Sequence, residues 1–138
     1  MGKAEESLVS RDLGAHFGDG RTGSSTLRRS FAALLHGTLG LRGLPRNTAT
    51  PGYYANYGLS REHDAALTEW MWRELELAVW AKPSDVALIE IERAVLRRWE
   101  PPLNLKDVTT PWSTMLSAAR RQMADEAREW ASERGPPG

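Results

Sequence analysis

Cysteine is missing from this 138-residue chain, which rules out disulfides and thiolate metal ligands. No apolar run approaches the roughly eighteen residues a membrane helix needs. The first residues show no basic-then-apolar leader of the export type. Net charge is missing too, because 18 Lys and Arg balance 18 Asp and Glu. A zero net charge argues for no particular partner by itself. The expectation from these absences is a cytoplasmic protein with no membrane partner.

What is present points to a folded domain. Hydrophobic residues make up 41% of the chain and include six Trp, enough for one domain with a sizeable core. The charges are unevenly spread. Residues 1–47 carry Lys3, Arg11, Arg21, Arg28, Arg29, Arg42 and Arg46 against Glu5, Glu6, Asp12 and Asp19, whereas residues 48–92 are predominantly acidic. Of the 18 basic residues 15 are Arg, the side chain suited to bidentate contact with phosphate or carboxylate.

Periodicity predicts the elements. Leu8, Leu13 and Phe17 could line a short helix that includes Arg11 and His16. The Gly18–Gly23 loop lacks the Gly-Lys-Ser/Thr ending of a nucleotide-binding phosphate loop. Ser24 or Ser25 caps a helix to about His36, with Leu27, Phe31, Leu34 and Leu35 buried. On that helix Arg28 and Arg29 read as a solvated basic face, or alternatively as a phosphate-contacting one. Residues 41–52 read as a surface loop, and 53–57 as a short strand or a packed extended segment whose tyrosines pack or stack on bases. Ser60 opens a helix to about Arg73. Leu75, Leu77 and Val79 alternate, which predicts a strand. Thr109 or Thr110 caps a final helix with Pro111 in its first turn and a stripe of Trp112, Met115, Leu116, Ala119, Met123 and Trp130.

The stretch from Ala87 to Asn104 carries the chemistry. Leu88, Ile91, Val95 and Trp99 make one apolar helical stripe, and the helix, capped by Ser84 or Asp85, stops at Pro101-Pro102. Glu92 sits on or beside that stripe. A carboxylate in such a place needs a partner, either an arginine or a divalent metal. Metal-assisted phosphodiester hydrolysis needs a carboxylate for Mg²⁺ or Mn²⁺, an arginine for the developing phosphoryl charge and a base for water. Glu92, Arg11 and His16 are of these types.

The 88–104 stretch resembles the third motif of the GIY-YIG nuclease domain. Ile91-Glu92-Arg93-Ala94-Val95-Leu96 matches its helix, and Pro101-Pro102-Leu103-Asn104 matches the motif that ends it. Gly2-Lys3-Ala4, then Arg11, then His16-Phe17 resemble the end of the family's second strand and the helix that follows, with one-residue slips in spacing. The resemblance implies an α+β fold, a small antiparallel sheet flanked by four to five helices, over residues 1–108. Leu75–Trp80 would be the third strand, and 109–138 would add a C-terminal amphipathic helix and tail on the same domain. It also implies roles. Glu92 would be the single metal ligand, for Mg²⁺ or Mn²⁺. Arg11 would stabilise the phosphate, His16 would assist near the scissile group or position water, and Asn104 would brace the site. Lys3, Arg21, Arg28 and Arg29 would contact nucleic acid, DNA by preference.

The sequence departs from the family at its start. The Gly-Ile-Tyr strand is absent, and Met1 stands where the family has Ile or Val, so the tyrosine before it is absent as well. The expectation is an upstream start, with Met1 a valine codon read as initiator, and little or no cleavage by the 138 residues alone. Two competing readings remain: a non-catalytic nucleic-acid-binding or regulatory module, and a protein-interaction domain built on the Trp112–Trp130 helix.

Overall fold

The computed structural model describes residues 14, 16–18, 21–78, 80–81, 83–105 and 110–134. The helices are α1 (Thr26–Leu34), α2 (His36–Leu39), α3 (Arg61–Glu74), α4 (Leu88–Trp99) and α5 (Pro111–Arg134), with 3₁₀ turns at Thr22–Ser24 and Tyr54–Asn56.

Local chemistry sets the helix ends. Ser25 caps α1 by accepting from the Arg28 amide at 3.1 Å, and Ser60 caps α3 by accepting from the His63 amide at 3.1 Å. Both satisfy amides that lack intrahelical partners. The predicted single helix to His36 breaks at Leu35, and α2 ends at Gly40 with φ of 61°, the left-handed region that glycine enters most readily. Thr110 heads α5, with its amide bonded to the Ser113 hydroxyl at 3.0 Å. At α4 the sequence expectation of a Ser84 or Asp85 cap is not met, because Ala87 holds the cap position without a side-chain bond.

The core gathers Phe17, Ala32, Ala33, Leu41, Tyr57, Leu67, Met71, Met123, Ala124 and Ala127. Helix α5 lies against α1 and the Tyr54–Asn56 turn. Small residues on α1 and α5 allow the close approach, and Phe31 meets Trp70 at 5.5 Å between ring centroids. The segment 41–52, read as a surface loop, is partly core instead. Leu41, Gly43 and Pro45 are buried. The Gly43 amide donates to Glu126 Oε2 at 2.8 Å, and a Cβ at Gly43 would stand 2.0 Å from the Met123 carbonyl oxygen. Gly43→Ala therefore pushes α5 off its seat. We expect a loss of about 1–3 kcal/mol, the scale of an overpacked core, read by chemical denaturation; an unchanged midpoint would show that α5 is not docked there.

The expected α+β architecture is overturned. The described residues contain no strand and no sheet; their one antiparallel pairing is the isolated bridge between Leu44 and Gly58, at 3.0 and 2.8 Å. Residues 53–57 form a 3₁₀ turn rather than a strand. In the alternating Leu75–Trp80 segment Leu75 is extended, but the described residues form no strand, and Leu77 and Trp80 are exposed. Alternation marks two faces of a strand but supplies no neighbour, and an extended segment becomes a strand only when another chain segment takes its backbone bonds. Along α4, Leu96 is buried, whereas Trp99, placed by periodicity on the buried stripe, is 71% exposed.

Candidate active site

Two parts of the chain carry the residues singled out by sequence. The first is the junction between the start of α1 and the start of α3. Arg28 is fully buried there. Its Nη1 donates to the His16 carbonyl at 3.0 Å, and its Nη2 donates to the Asp64 carbonyl at 2.9 Å and to Asp64 Oδ1 at 3.3 Å. The same Asp64 oxygen accepts from the Thr22 amide at 3.1 Å and the Thr22 hydroxyl at 2.5 Å. Burial lowers the Arg28 pKa from its ordinary value, and the Asp64 charge and hydrogen bond oppose that shift. His16 is held from two sides, since its carbonyl takes the Arg28 bond and its Nδ1 lies 2.7 Å from Ser25 Oγ. The ring of a candidate catalytic histidine is thus oriented by the α1 cap residue.

Arg28 and Arg29 correct the sequence reading. Neither lies on a solvated face; their exposures are 0% and 8%. Arg29 Nη1 donates to the Gly23 carbonyl at 2.8 Å and Nη2 to the Thr26 hydroxyl at 3.0 Å. Helical spacing alone could not reveal this, because Asp64 lies 36 residues beyond Arg28. Asp64, Thr22 and Ser25 are the supports that sequence reasoning missed. Only the cap position of Ser25 was a usable signal.

The second part is α4 and its exit. Glu92 is half-buried in the middle of α4. Glu100 has a left-handed φ of 41°, which turns the chain into the prolines. The Asn104 amide then closes the turn on the Pro101 carbonyl at 3.0 Å. Arg21 is exposed at the cap of the first 3₁₀ turn. Lys3 and Arg11 lie outside the described residues, so the expected meeting of Arg11 with Glu92 lies outside them too.

No grouping of three His, Asp or Glu able to hold a metal occurs among the described residues. The half-buried Glu92 carboxylate is of the chemical type that could hold one hard divalent ion, with water and phosphate oxygens completing its shell.

The tyrosine cluster divides by position. Tyr53 is 92% exposed and Tyr57 fully buried, while Arg128 stacks over Tyr54 at 5.3 Å. The Tyr57 hydroxyl donates to the Arg29 carbonyl at 2.5 Å. Burial pushes its pKa up to about 12, while Arg120 and Arg29 pull the other way. The folded state thus favours the neutral phenol. This contribution is whole below the unfolded value of 10.0 and fades as pH rises from there toward about 12. Tyr57→Phe should cost about 1–2 kcal/mol at neutral pH for the lost hydrogen bonds. The gap between wild type and variant should narrow above pH 10; a gap constant with pH would contradict this.

With this geometry established, comparison with known proteins identifies the class as a nuclease-type catalytic domain. The chain belongs to the GIY-YIG catalytic domain family, whose profile matches residues 1–122. The match spans the Gly2-Lys3-Ala4 and Pro101–Asn104 motifs and ends within α5. No curated protein and no solved structure matches the chain. The family acts on nucleic acid and is generally dependent on a divalent metal. No helix among the described residues is long and apolar enough to cross a membrane.

Proposed function

We propose that this chain is a metal-dependent endonuclease domain that hydrolyses phosphodiester bonds in DNA, with Glu92 as the ligand for one Mg²⁺ or Mn²⁺. The observation that carries the reading is a half-buried carboxylate in mid-helix on α4, followed directly by the Pro101–Asn104 turn, in a chain matched by the family profile over residues 1–122. The bound ion would supply a positive charge beside the phosphoryl oxygens.

The chain's own residues do the rest. Arg11 would neutralise the charge developing on the phosphoryl group. His16, fixed by Ser25 and Arg28, holds the attacking water or the leaving oxygen within hydrogen-bond reach. Water adds to phosphorus as the bond to the leaving oxygen breaks; the water's proton passes to bulk water, and the departing alkoxide takes a proton from bulk water to leave as an alcohol. Asn104 braces the segment that leads out of α4. Lys3 and Arg21 contact the flanking backbone, while Arg28 serves His16 from the interior.

Cleavage of a supercoiled plasmid, with protein in excess and Mg²⁺ or Mn²⁺ present, tests the assignment. Because the family's Gly-Ile-Tyr tyrosine is not among these 138 residues, cleavage should be slow at best: a little nicked product should accumulate and should vanish with EDTA. Cleavage that persists in EDTA would overturn the metal-dependent reading.

A further inference from the structure

Arg29 presents a different problem from its neighbour. Both are buried, yet Arg28 has the Asp64 carboxylate and Arg29 has only neutral acceptors, the Gly23 carbonyl and the Thr26 hydroxyl. Its Nε is buried with no partner. Two of the groups that act on it are guanidiniums of its own sign, and only the Tyr57 phenol acts the other way. Arg120 and Arg46 both push its pKa down, after the larger effect of burial.

These three guanidiniums come from separate parts of the fold. Arg29 belongs to α1, Arg46 to the segment after Leu41, and Arg120 to α5. They converge around Gly23 and Tyr57. The Arg46 side chain crosses Gly23, where an added Cβ would come within 2.7 Å of Arg46 Cγ. Arg120 lies near enough to the Tyr57 hydroxyl to lower its pKa, and that hydroxyl donates to the Arg29 carbonyl. None of the three forms an ion pair with a carboxylate among the described residues. Arg46 is exposed and Arg120 half-buried, so the group can be reached from solvent.

Like charges gathered without a counter-ion repel, and burying one of them raises the cost. An anion placed among them reverses the sign of that interaction. Guanidinium forks match phosphate oxygens in geometry as well as charge. We infer that Arg29, Arg46 and Arg120, set around Tyr57 and Gly23, form a seat for one backbone phosphate of the bound strand, apart from the Glu92 centre. Arg46 and Arg120 make the contact, and Arg29 supplies fixed positive charge beneath them. The seat rests on the nuclease reading for its ligand. It would fix the strand's register without reading its bases.

Fluorescence anisotropy with a labelled DNA duplex in EDTA, over a series of salt concentrations, tests the seat. Arg46→Ala should weaken binding about three- to tenfold at low salt and lower the slope of log affinity against log salt by about 1. Arg46→Lys should keep the slope, and Arg46→Glu should weaken binding further. Arg46→Ala should remain folded with a cooperative melt, since Arg46 is exposed and its loss relieves repulsion on Arg29. In a second arm, inorganic phosphate should raise the melting temperature of the wild type more than that of Arg46→Ala/Arg120→Ala. DNA binding with unaltered slope in both Arg46→Ala and Arg46→Glu would overturn the seat and leave the nuclease reading intact. Phosphate stabilisation without any DNA binding by wild type would overturn the strand as ligand, and the nuclease reading with it.

Discussion

Arg28→Met should lower the unfolding free energy by about 3–5 kcal/mol, the range for removing one partner of a buried ion pair. The mechanism is uncompensated charge. Asp64 Oδ1 would keep its two bonds from Thr22 but lose its cation, and the Asp64 and His16 carbonyls would lose the bonds Arg28 gives them, the Asp64 carbonyl keeping that from the Thr68 hydroxyl. Met fills much of the volume, so the cost is chiefly electrostatic rather than a cavity. Arg28→Met/Asp64→Leu should then be less destabilised than the sum of the single changes, since no lone charge remains. Denaturant unfolding of the four proteins gives the coupling directly. Additive losses would mean that the pair contributes nothing beyond its separate contacts. The same variant should reduce any cleavage that depends on His16, because Arg28 holds the His16 backbone in place.

Glu92→Ala should reduce cleavage by about a hundredfold or more, the scale for losing a group that stabilises developing charge, with DNA affinity in EDTA unchanged. The carboxylate is half-buried on a helix that closes on its own turn, so removing it should not unfold the chain. Glu92→Gln tests charge against shape, since it keeps the size and loses the metal. Mn²⁺ binding followed by electron paramagnetic resonance gives a readout independent of turnover. It should disappear in both variants. If Glu92→Ala cleaves as well as wild type, or still binds Mn²⁺, the metal ligand is elsewhere. Asn104→Ala should cost less, about ten- to a hundredfold, as a residue that supports the site rather than forming it.

The family resemblance was legible because its signals are local. Glu92 and Asn104 lie in one continuous stretch, so a single pass along the helix finds the apolar stripe, the carboxylate beside it and the prolines that end it. Ser25 and Ser60 announced their helices for the same reason, since a cap acts on amides two or three residues away. Leu75–Trp80 shows the opposite case. Its alternation is real in the sequence, but a strand is a relation between two segments.

The amino-acid order alone determined the helix starts at Ser25 and Ser60, the proline in the first turn of α5, the α4 helix around Glu92 and the resemblance to the nuclease family. These rest on bonds and spacings within a few residues. Only the tertiary structure decided that Arg28 turns inward to Asp64, that Gly43 admits the α5 backbone, and that Arg29, Arg46 and Arg120 share one place. A charged side chain is driven inward or outward by the partner it meets, and for Arg28 that partner lies 36 residues away along the chain.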